Sequence, residues 1–588
     1  MAARRPILLV FPPLTDMMTH PELGVPQLTA WMRRAGWDVR QLDLNATCVF
    51  RHLADPDVRD RLRSELSEAG TRFLDTLPAY IAGRKAAIVR RVLDSSATPL
   101  DPEPVGWFAG ACVEHQEVID PLPLARQMRM VAATDPLAPA PLPGAHTDSG
   151  WLGMAKLVNV VQRELIQPCG FAPGELGSLL AAPCPWLDRF LAEHLDPLLP
   201  PDLGMLGLSI HNAHQLVPAL RIADRVRALR PGVHVTLGGP WAAAASGAIR
   251  LAPLVFDHVD TVVACEGEVP LESLALALAE GRPFDDLPGV TTRHDGAVRE
   301  NLPPPPVPLG DLPVPVFDGY PMDAYPDAKV PFRTVRGCYW GRCAFCFHVF
   351  PHLQPEYPTG WRADLPERVT DNLLEMLRDV GRRFGARTLT LADNATPPAH
   401  MARIATALVG GGLDVRWEAL ARFDPGFTPE TFRLMALSGC RDLFFGLETA
   451  SPPELARLRK GITPDLVVRN LRACAEAGIH AQVFVLHYPS QPLRDYIDTL
   501  EFLCEHHDVV HWIIPFRFRL GRNAMVFDDP GFLGVRLAPG AEEDHQVFHL
   551  PFEADAWMGD EAFREVTEAY FARFIALRAF HAVARPAR

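Results

Sequence analysis

No apolar run in these 588 residues approaches the roughly twenty needed to cross a bilayer, so nothing in the sequence reads as a transmembrane helix. Positive charge is in short supply: 57 Lys and Arg against 71 Asp and Glu leave a formal net charge of −14. No basic run rises above that background, which argues against a nucleic-acid-binding surface. Cysteine is sparse, with 11 residues scattered over the whole length. That usage fits reduced thiols rather than a disulfide framework and suggests a cytoplasmic location. The two arginines before Ile7-Leu-Leu-Val-Phe11 imitate a signal peptide, but Pro12-Pro13 cuts the apolar run too short for one, and it reads as a first strand.

What the chain does have is hydrophobic content of 48% against 22% charged residues, the balance of a soluble globular protein. It is too long for a single core, so two or more domains are expected. Residues 1–300 alternate strand and helix: Ile7–Phe11, a helix over Val25–Ala35, Trp37–Leu44, then Met205–Ile210, a helix over Leu216–Leu229, Val233–Leu237 and Thr261–Ala264. Such alternation predicts a doubly wound, Rossmann-like α/β sheet whose ligands sit beyond the carboxyl ends of the strands. The pattern lapses between about 46 and 200. Helical spacing over Arg59–Leu77, Ile81–Leu93 and Trp151–Leu165 makes this stretch a mostly helical insertion, either a packed cap or an element that shapes the substrate site. A proline-rich linker spans 301–327.

The alternation returns over 328–525, with strands at Phe332–Val335, Leu389–Leu391, Val415–Leu420, Leu443–Gly446, Gln482–Leu486 and Val509–Pro515. Polar residues end several of these strands, which predicts a partial or full βα barrel with its site at the strand C-termini. Residues 526–588 form a short helical C-terminal region, with a helix expected from Asp560 to about Ala582.

Cys338, Cys343 and Cys346 lie within nine residues on the loop after the first barrel strand. A structural zinc site wants four closed ligands, whereas three cysteines on an iron–sulfur cluster leave one iron free for another ligand. Cys265 and Cys440 read instead as small buried hydrophobes.

This loop, with Leu443-Phe-Phe-Gly-Leu-Glu-Thr-Ala-Ser451, Lys460-Gly461 and Ala477-Gly-Ile479 after it, resembles the radical S-adenosylmethionine (SAM) enzymes. Ile7–Pro13, Leu208-Ser209, Leu237-Gly-Gly239, Glu266-Gly-Glu268 and Asp311–Pro315 resemble the cobalamin-binding domain that precedes the barrel in one large subgroup. The resemblance implies a 4Fe–4S cluster on Cys338, Cys343 and Cys346 as metal ligands, with SAM on the free iron. It further implies a 5′-deoxyadenosyl radical, cobalamin between the domains, and an external flavodoxin- or ferredoxin-like electron donor. The expected activity is methylation of an unactivated carbon on a small-molecule or peptide-derived natural product. A rearrangement or cyclisation without methyl transfer, or a non-catalytic sensor, are the alternatives.

The same resemblance suggests roles for individual residues. Phe345 meets the adenine of SAM or is a core aromatic. Glu448 bonds the ribose hydroxyls, and Arg422 pairs with the SAM carboxylate or forms a structural ion pair. Asp393 contacts the SAM amino group or the substrate, and His487 is a substrate-facing acid or base or a hydrogen-bonded strand-end residue. Ser209, Gly238, Gly239 and Glu268 line the cobalamin tail. Two departures stand out. The first cysteine gap holds four residues where the family usually has three, with Gly341 available to tighten the turn. The second lies at Leu486-His-Tyr-Pro489, where many relatives have a glycine before the aromatic–proline pair. The Asp-x-His-x-x-Gly motif, by which some enzymes supply a histidine to cobalt, is also absent.

Overall fold

The computed structural model describes residues 4–15, 20–63, 173–325, 329–347, 365–542, 550–554 and 556–584. The helices expected over Ile81–Leu93 and Trp151–Leu165, and most of Arg59–Leu77, lie outside the described residues.

Two large sheets organise the chain, the first mixed and the second all parallel. The first has seven strands in the order β2-β1-β3-β4-β5-β6-β7. These are β1 (Ile7–Phe11), β2 (Val39–Asp43), β3 (Met205–Ser209), β4 (His234–Gly238), β5 (Thr261–Val263), β6 (Val290–His294) and β7 (Ala297–Glu300). The five leading strands are parallel, in register Leu8↔Leu206 and Leu206↔Val235. Their continuous apolar runs follow from helices covering both faces: Leu8, Val10, Leu206 and Val235 are fully buried, each worth about 1.5–3 kcal/mol of transfer free energy. The antiparallel hairpin β6–β7 is an addition to the expected sheet. Its turn is Asp295-Gly296, both at positive φ, a two-residue hairpin signal that a search by hydrophobic period passes over.

The second sheet runs β13-β12-β11-β10-β9-β8 and every pairing is parallel, giving a six-stranded partial barrel. Its strands are β8 (Lys329–Phe332), β9 (Thr388–Leu391), β10 (Arg416–Arg422), β11 (Cys440–Glu448), β12 (His480–His487) and β13 (Trp512–Arg517). The first begins and ends three residues before its expected span of Phe332–Val335. Asp393 is the cause: Oδ1 accepts the amide protons of Thr334 at 2.8 Å and Val335 at 3.0 Å, so the ladder stops at Phe332↔Leu391. The C-terminal helix Asp560–Ala584 packs on the helix Leu493–Glu505 through Tyr496–Thr567 (2.9 Å) and Tyr570–Glu501 (2.9 Å) hydrogen bonds.

The proline-rich stretch is pinned to both halves. Gln27 Nε2 donates to the Pro313 carbonyl and Asn372 Nδ2 to that of Leu312, both at 2.8 Å. Near its end Tyr325 donates its hydroxyl proton to Asp43, the last residue of β2. Asp43 is 1% exposed, and burial pushes its carboxyl up to about 6 despite the bonds from Tyr325 and Ala46. The folded protein therefore holds this proton more tightly than the unfolded chain, and stability falls as pH rises from about 4 to 6. Asp43→Asn should remove that fall, seen as a smaller loss of Tm between pH 4 and 6 than in the wild type.

Candidate active site

The cysteine loop is held residue by residue. Gly337 and Gly341 adopt left-handed backbone (φ 75° and 59°), which turns the chain on either side of Cys338-Tyr-Trp. The four residues of the long first gap each have an anchor or a turn. Tyr339 donates to Asp424 Oδ2 at 3.1 Å, Trp340 Nε1 donates to the Arg459 carbonyl at 2.8 Å, and Arg342 lies 5.4 Å from the Trp340 ring centre. The Trp340 ring lies directly on Gly461, where any Cβ would collide with it. The Cys346 amide then closes a turn on the Cys343 carbonyl (3.2 Å), and the Ala344 amide bonds that of Leu458 (3.1 Å).

The environment of the sulfurs suits a cluster. Burial pushes the Cys343 thiol up, while Lys460 and Arg422 pull it back. Arg422 Nη1 stands 3.7 Å from Cys343 Sγ, its other arm bonds the Lys460 carbonyl, and its guanidinium stacks 4.4 Å from the Trp340 ring centre. A single zinc ion, with bonds near 2.3 Å, would hold thiolates about 4 Å apart. The three sulfurs are not gathered within 4.8 Å of one another, whereas a multi-iron cube holds its ligands more widely. Cys343 and Cys346 open on a cavity of about 510 Å³ with Trp340, Gly461 and Asn523.

Glu448 ends β11 at φ 69°, a left-handed conformation rare for a non-glycine residue and a form of strain that clusters at functional sites. Its Oε1 accepts from Lys460 Nζ at 3.0 Å, with both side chains buried. The pair lies over Gly446, where a Cβ would stand 2.7 Å from Glu448 Oε1 and 2.8 Å from Lys460 Nζ. Phe345 lies partly buried, its ring centre 5.9 Å from the same Nζ. The structure thus brings Cys343, Phe345, Arg422 and Glu448 around Lys460.

Asp393 and His487 are placed differently. Both oxygens of Asp393 are taken: beyond the two amides, Oδ2 accepts from the Thr334 and Thr396 hydroxyls at 2.5 and 2.8 Å. At 2% exposure it fixes the turn that launches the cysteine loop. His487 is also 2% exposed. It stacks on Trp557 and Phe563, with ring centres 5.2 and 5.6 Å away, and bonds Gln491 through Nδ1 at 3.0 Å. Burial lowers its pKa to about 4, keeping the ring neutral, and it lines neither of the two cavities described here.

A second cavity, about 540 Å³, lies between the carboxyl ends of the two sheets. Ser209, Gly238, Gly239 and Glu268 line it from the first sheet; Arg333, Gly337 and Asn394 line it from the barrel side. The cysteine loop therefore separates the two spaces, Gly337 facing one and Cys343 the other. Glu268 Oε1 accepts from Arg336 Nη2 at 2.9 Å, while Oε2 is buried without a partner among the described residues, an acceptor suited to a ligand N–H.

The two glycines differ in their reasons. Gly239 sits at φ 95°, where a Cβ would lie 2.7 Å from the Ile210 amide nitrogen, 3.0 Å from Ser209 Oγ and closer still to the Ile210 carbonyl. At Gly238 a Cβ would meet nothing nearer than 3.5 Å. Gly239→Ala should accordingly cost about 1–3 kcal/mol or more in chemical denaturation. Gly238→Ala should fold like wild type, so any defect it has would appear in ligand binding.

Lys460 entered the sequence reading only as part of a motif, and Trp340 was given no role of its own there. Their contacts make them the hub of the cysteine site. Arg336 was given no role of its own, nor were Glu22 and His211, which meet at 3.3 Å on the cavity wall. The position of Arg336 directly before Gly337-Cys338 was the available signal.

A parallel barrel that delivers three cysteines from the end of its first strand defines the radical SAM class. Residues 332–503, most of the partial barrel, match the family model described as the radical SAM superfamily. Its cofactors are a 4Fe–4S cluster and SAM, for which the three cysteines and the residues around Lys460 provide a fitting donor set.

An uncharacterized methyltransferase of Pyrococcus horikoshii is 28% identical over 292 residues, covering 48% of this chain and 60% of that protein. The 4′-phospho-dehydrooxetanocin synthase of Priestia megaterium is 23% identical over 273 residues, 42% of this chain and 36% of that one. The chain thus spans less than two thirds of either curated relative. The radical SAM methyltransferase TsrM of Kitasatospora setae, solved with cobalamin and a [4Fe–4S] cluster bound, superposes with a TM-score of 0.56 at 15% identity. That match covers 98% of this chain and 89% of TsrM, and it shows a shared fold. Among the described residues no helix is long and apolar enough to cross a membrane.

Proposed function

We propose that this chain is a cobalamin-dependent radical SAM enzyme that methylates an unactivated carbon of a small-molecule or peptide-derived substrate. The observation that carries the reading is the cavity between the two sheets, which meets the cysteine loop at Gly337. Two cofactors placed on either side of one short loop can act on one substrate. When bound, the cluster and SAM supply an electron and a carbon-centred radical, and cobalamin supplies a transferable methyl group.

The protein's part is binding, orientation and exclusion of water. Cys338, Cys343 and Cys346 would hold the cluster, with Arg422 offsetting charge on Cys343. Glu448, held by Lys460, would accept hydrogen bonds from the SAM ribose, and Phe345 would pack on its adenine. Ser209, Gly239 and the free oxygen of Glu268 would seat the cobalamin tail. Asp393 would act as a positioning residue for the loop and His487 as a neutral aromatic-cage residue, both one step removed from the reacting atoms. A flavodoxin- or ferredoxin-like donor would supply the electron.

Anaerobic reconstitution should yield about four irons per chain and one equivalent of cobalamin, with 5′-deoxyadenosine formed on reduction. A chain that takes up iron and cleaves SAM but never binds cobalamin would end the methyltransferase reading. A converted substrate of unchanged carbon count would turn it into a rearrangement.

A further inference from the structure

Away from both cavities, one cluster of ligating side chains is used by nothing described so far. His52 Nδ1, His194 Nε2 and a Glu193 oxygen form, among the described residues, the only group of three such atoms within 4.8 Å of one another. The edges of this triangle are 2.9 Å between the histidine nitrogens, 3.5 Å from His52 to Glu193 Oε2 and 3.9 Å from His194 to the same oxygen. A tetrahedral zinc ion with bonds of 2.0–2.1 Å has ligand–ligand edges of about 3.3 Å. The triangle brackets that value and shares one carboxylate oxygen as its third corner.

We propose that His52, Glu193 and His194 form a binding site for a divalent transition-metal ion of the zinc type, completed by a water molecule. It would clasp together two segments 142 residues apart in the chain.

Three features of the surroundings favour an ion over a plain hydrogen bond. His52 ends a π-helical turn, Thr47–His52, closed by the Leu53 amide on the Cys48 carbonyl at 2.8 Å. Such turns re-aim a side chain by inserting one residue and recur at functional sites. The His52 ring is walled by Trp186 and Phe190, with centres 5.9 and 5.1 Å away, an apolar shell that fixes its orientation. Arg61 stands 3.7 Å from Glu193 Oε1, which leaves Oε2 turned to the histidines. Glu193 is half-exposed, which leaves the fourth position open to water.

The closure of a long loop gives the ion a physical effect. Joining positions far apart in sequence removes conformations from the unfolded chain, more so as the loop lengthens. The site stands independently of the methyltransferase reading.

The test uses the full chain with Cys338, Cys343 and Cys346 all replaced by alanine, so that no thiolate of the cluster site competes. This variant should bind one equivalent of Zn²⁺ after metal removal and gel filtration. It should also develop the visible ligand-field bands of four-coordinate Co²⁺ when titrated with Co²⁺. Zn²⁺ should raise its Tm. Adding Glu193→Gln, an exposed change that leaves the core intact, should weaken Zn²⁺ binding at least tenfold and abolish the Tm rise; His194→Ala should do the same. Zn²⁺ binding below 0.2 equivalents in the parent, or binding unchanged by Glu193→Gln, would overturn the site.

Discussion

Cys343→Ala is expected to take iron content to background and to abolish reductive SAM cleavage, even with saturating iron and sulfide. No other nucleophilic side chain can replace it, since the loop between Tyr339 and Ala344 is fixed at both ends by Asp424 and the Leu458 carbonyl. Cys343 is partly buried at the edge of its cavity, where burial raises the thiol pKa, and Arg422 at 3.7 Å would offset the charge of a ligating thiolate. Cys338→Ala and Cys346→Ala should behave alike. The control is Cys440→Ala: that thiol is fully buried in β11 and its pKa is raised by burial, so it should keep full iron and lose only packing. Iron analysis, cluster absorbance and chromatographic assay of 5′-deoxyadenosine check the prediction. Substantial iron together with SAM cleavage in Cys343→Ala would mean that the ligand set is different.

The extra residue of the first cysteine gap shows where sequence reading reached its limit. Gly341 was legible as a turn maker because only its type matters. The reason for four residues was not, because it lies in partners far along the chain: Asp424 for Tyr339, and Arg459 with Gly461 for Trp340. Strands announced by continuous apolar runs, such as Ile7–Phe11 and Met205–Ser209, were read almost to the residue because helices bury both faces. The first barrel strand was misplaced because its end is set by the side chain of Asp393, sixty residues away, and not by any local pattern. Asp393 itself was expected at the reacting centre. Strand-end carboxylates look alike in sequence whether they face a ligand or cap backbone amides.

Arg336→Met should produce the largest loss of stability of any single change considered, about 3–5 kcal/mol, because it strands Glu268 as a buried charge without its partner. Arg336 is 3% exposed and Glu268 4%, and they meet at 2.9 Å between the cysteine loop and the N-terminus of the helix Glu268–Glu280. Glu268→Gln should cost less, since Arg336 keeps the Val307 carbonyl and lies 3.8 Å from Glu266. Replacing both, as Arg336→Met with Glu268→Leu, should recover most of the loss, and a double-mutant cycle measures the coupling.

The pH dependence identifies the cause. Burial raises the Glu268 carboxyl and Arg336 pulls it back down; without Arg336 it rises further. The folded variant then binds this proton more tightly than the unfolded chain. Its deficit relative to wild type should therefore be largest near pH 8 and should shrink as pH falls toward the unfolded carboxyl value of about 4.3. A deficit below about 1 kcal/mol at pH 8 would place the pair in effectively aqueous surroundings. The consequence also reaches the chemistry. Arg336 stands two residues before Cys338, so the bond that neutralises Glu268 on the cavity wall also fixes where the cysteine loop begins. On the proposed function, loosening it should weaken iron retention and cobalamin affinity together, whereas Glu268→Gln should affect cobalamin alone.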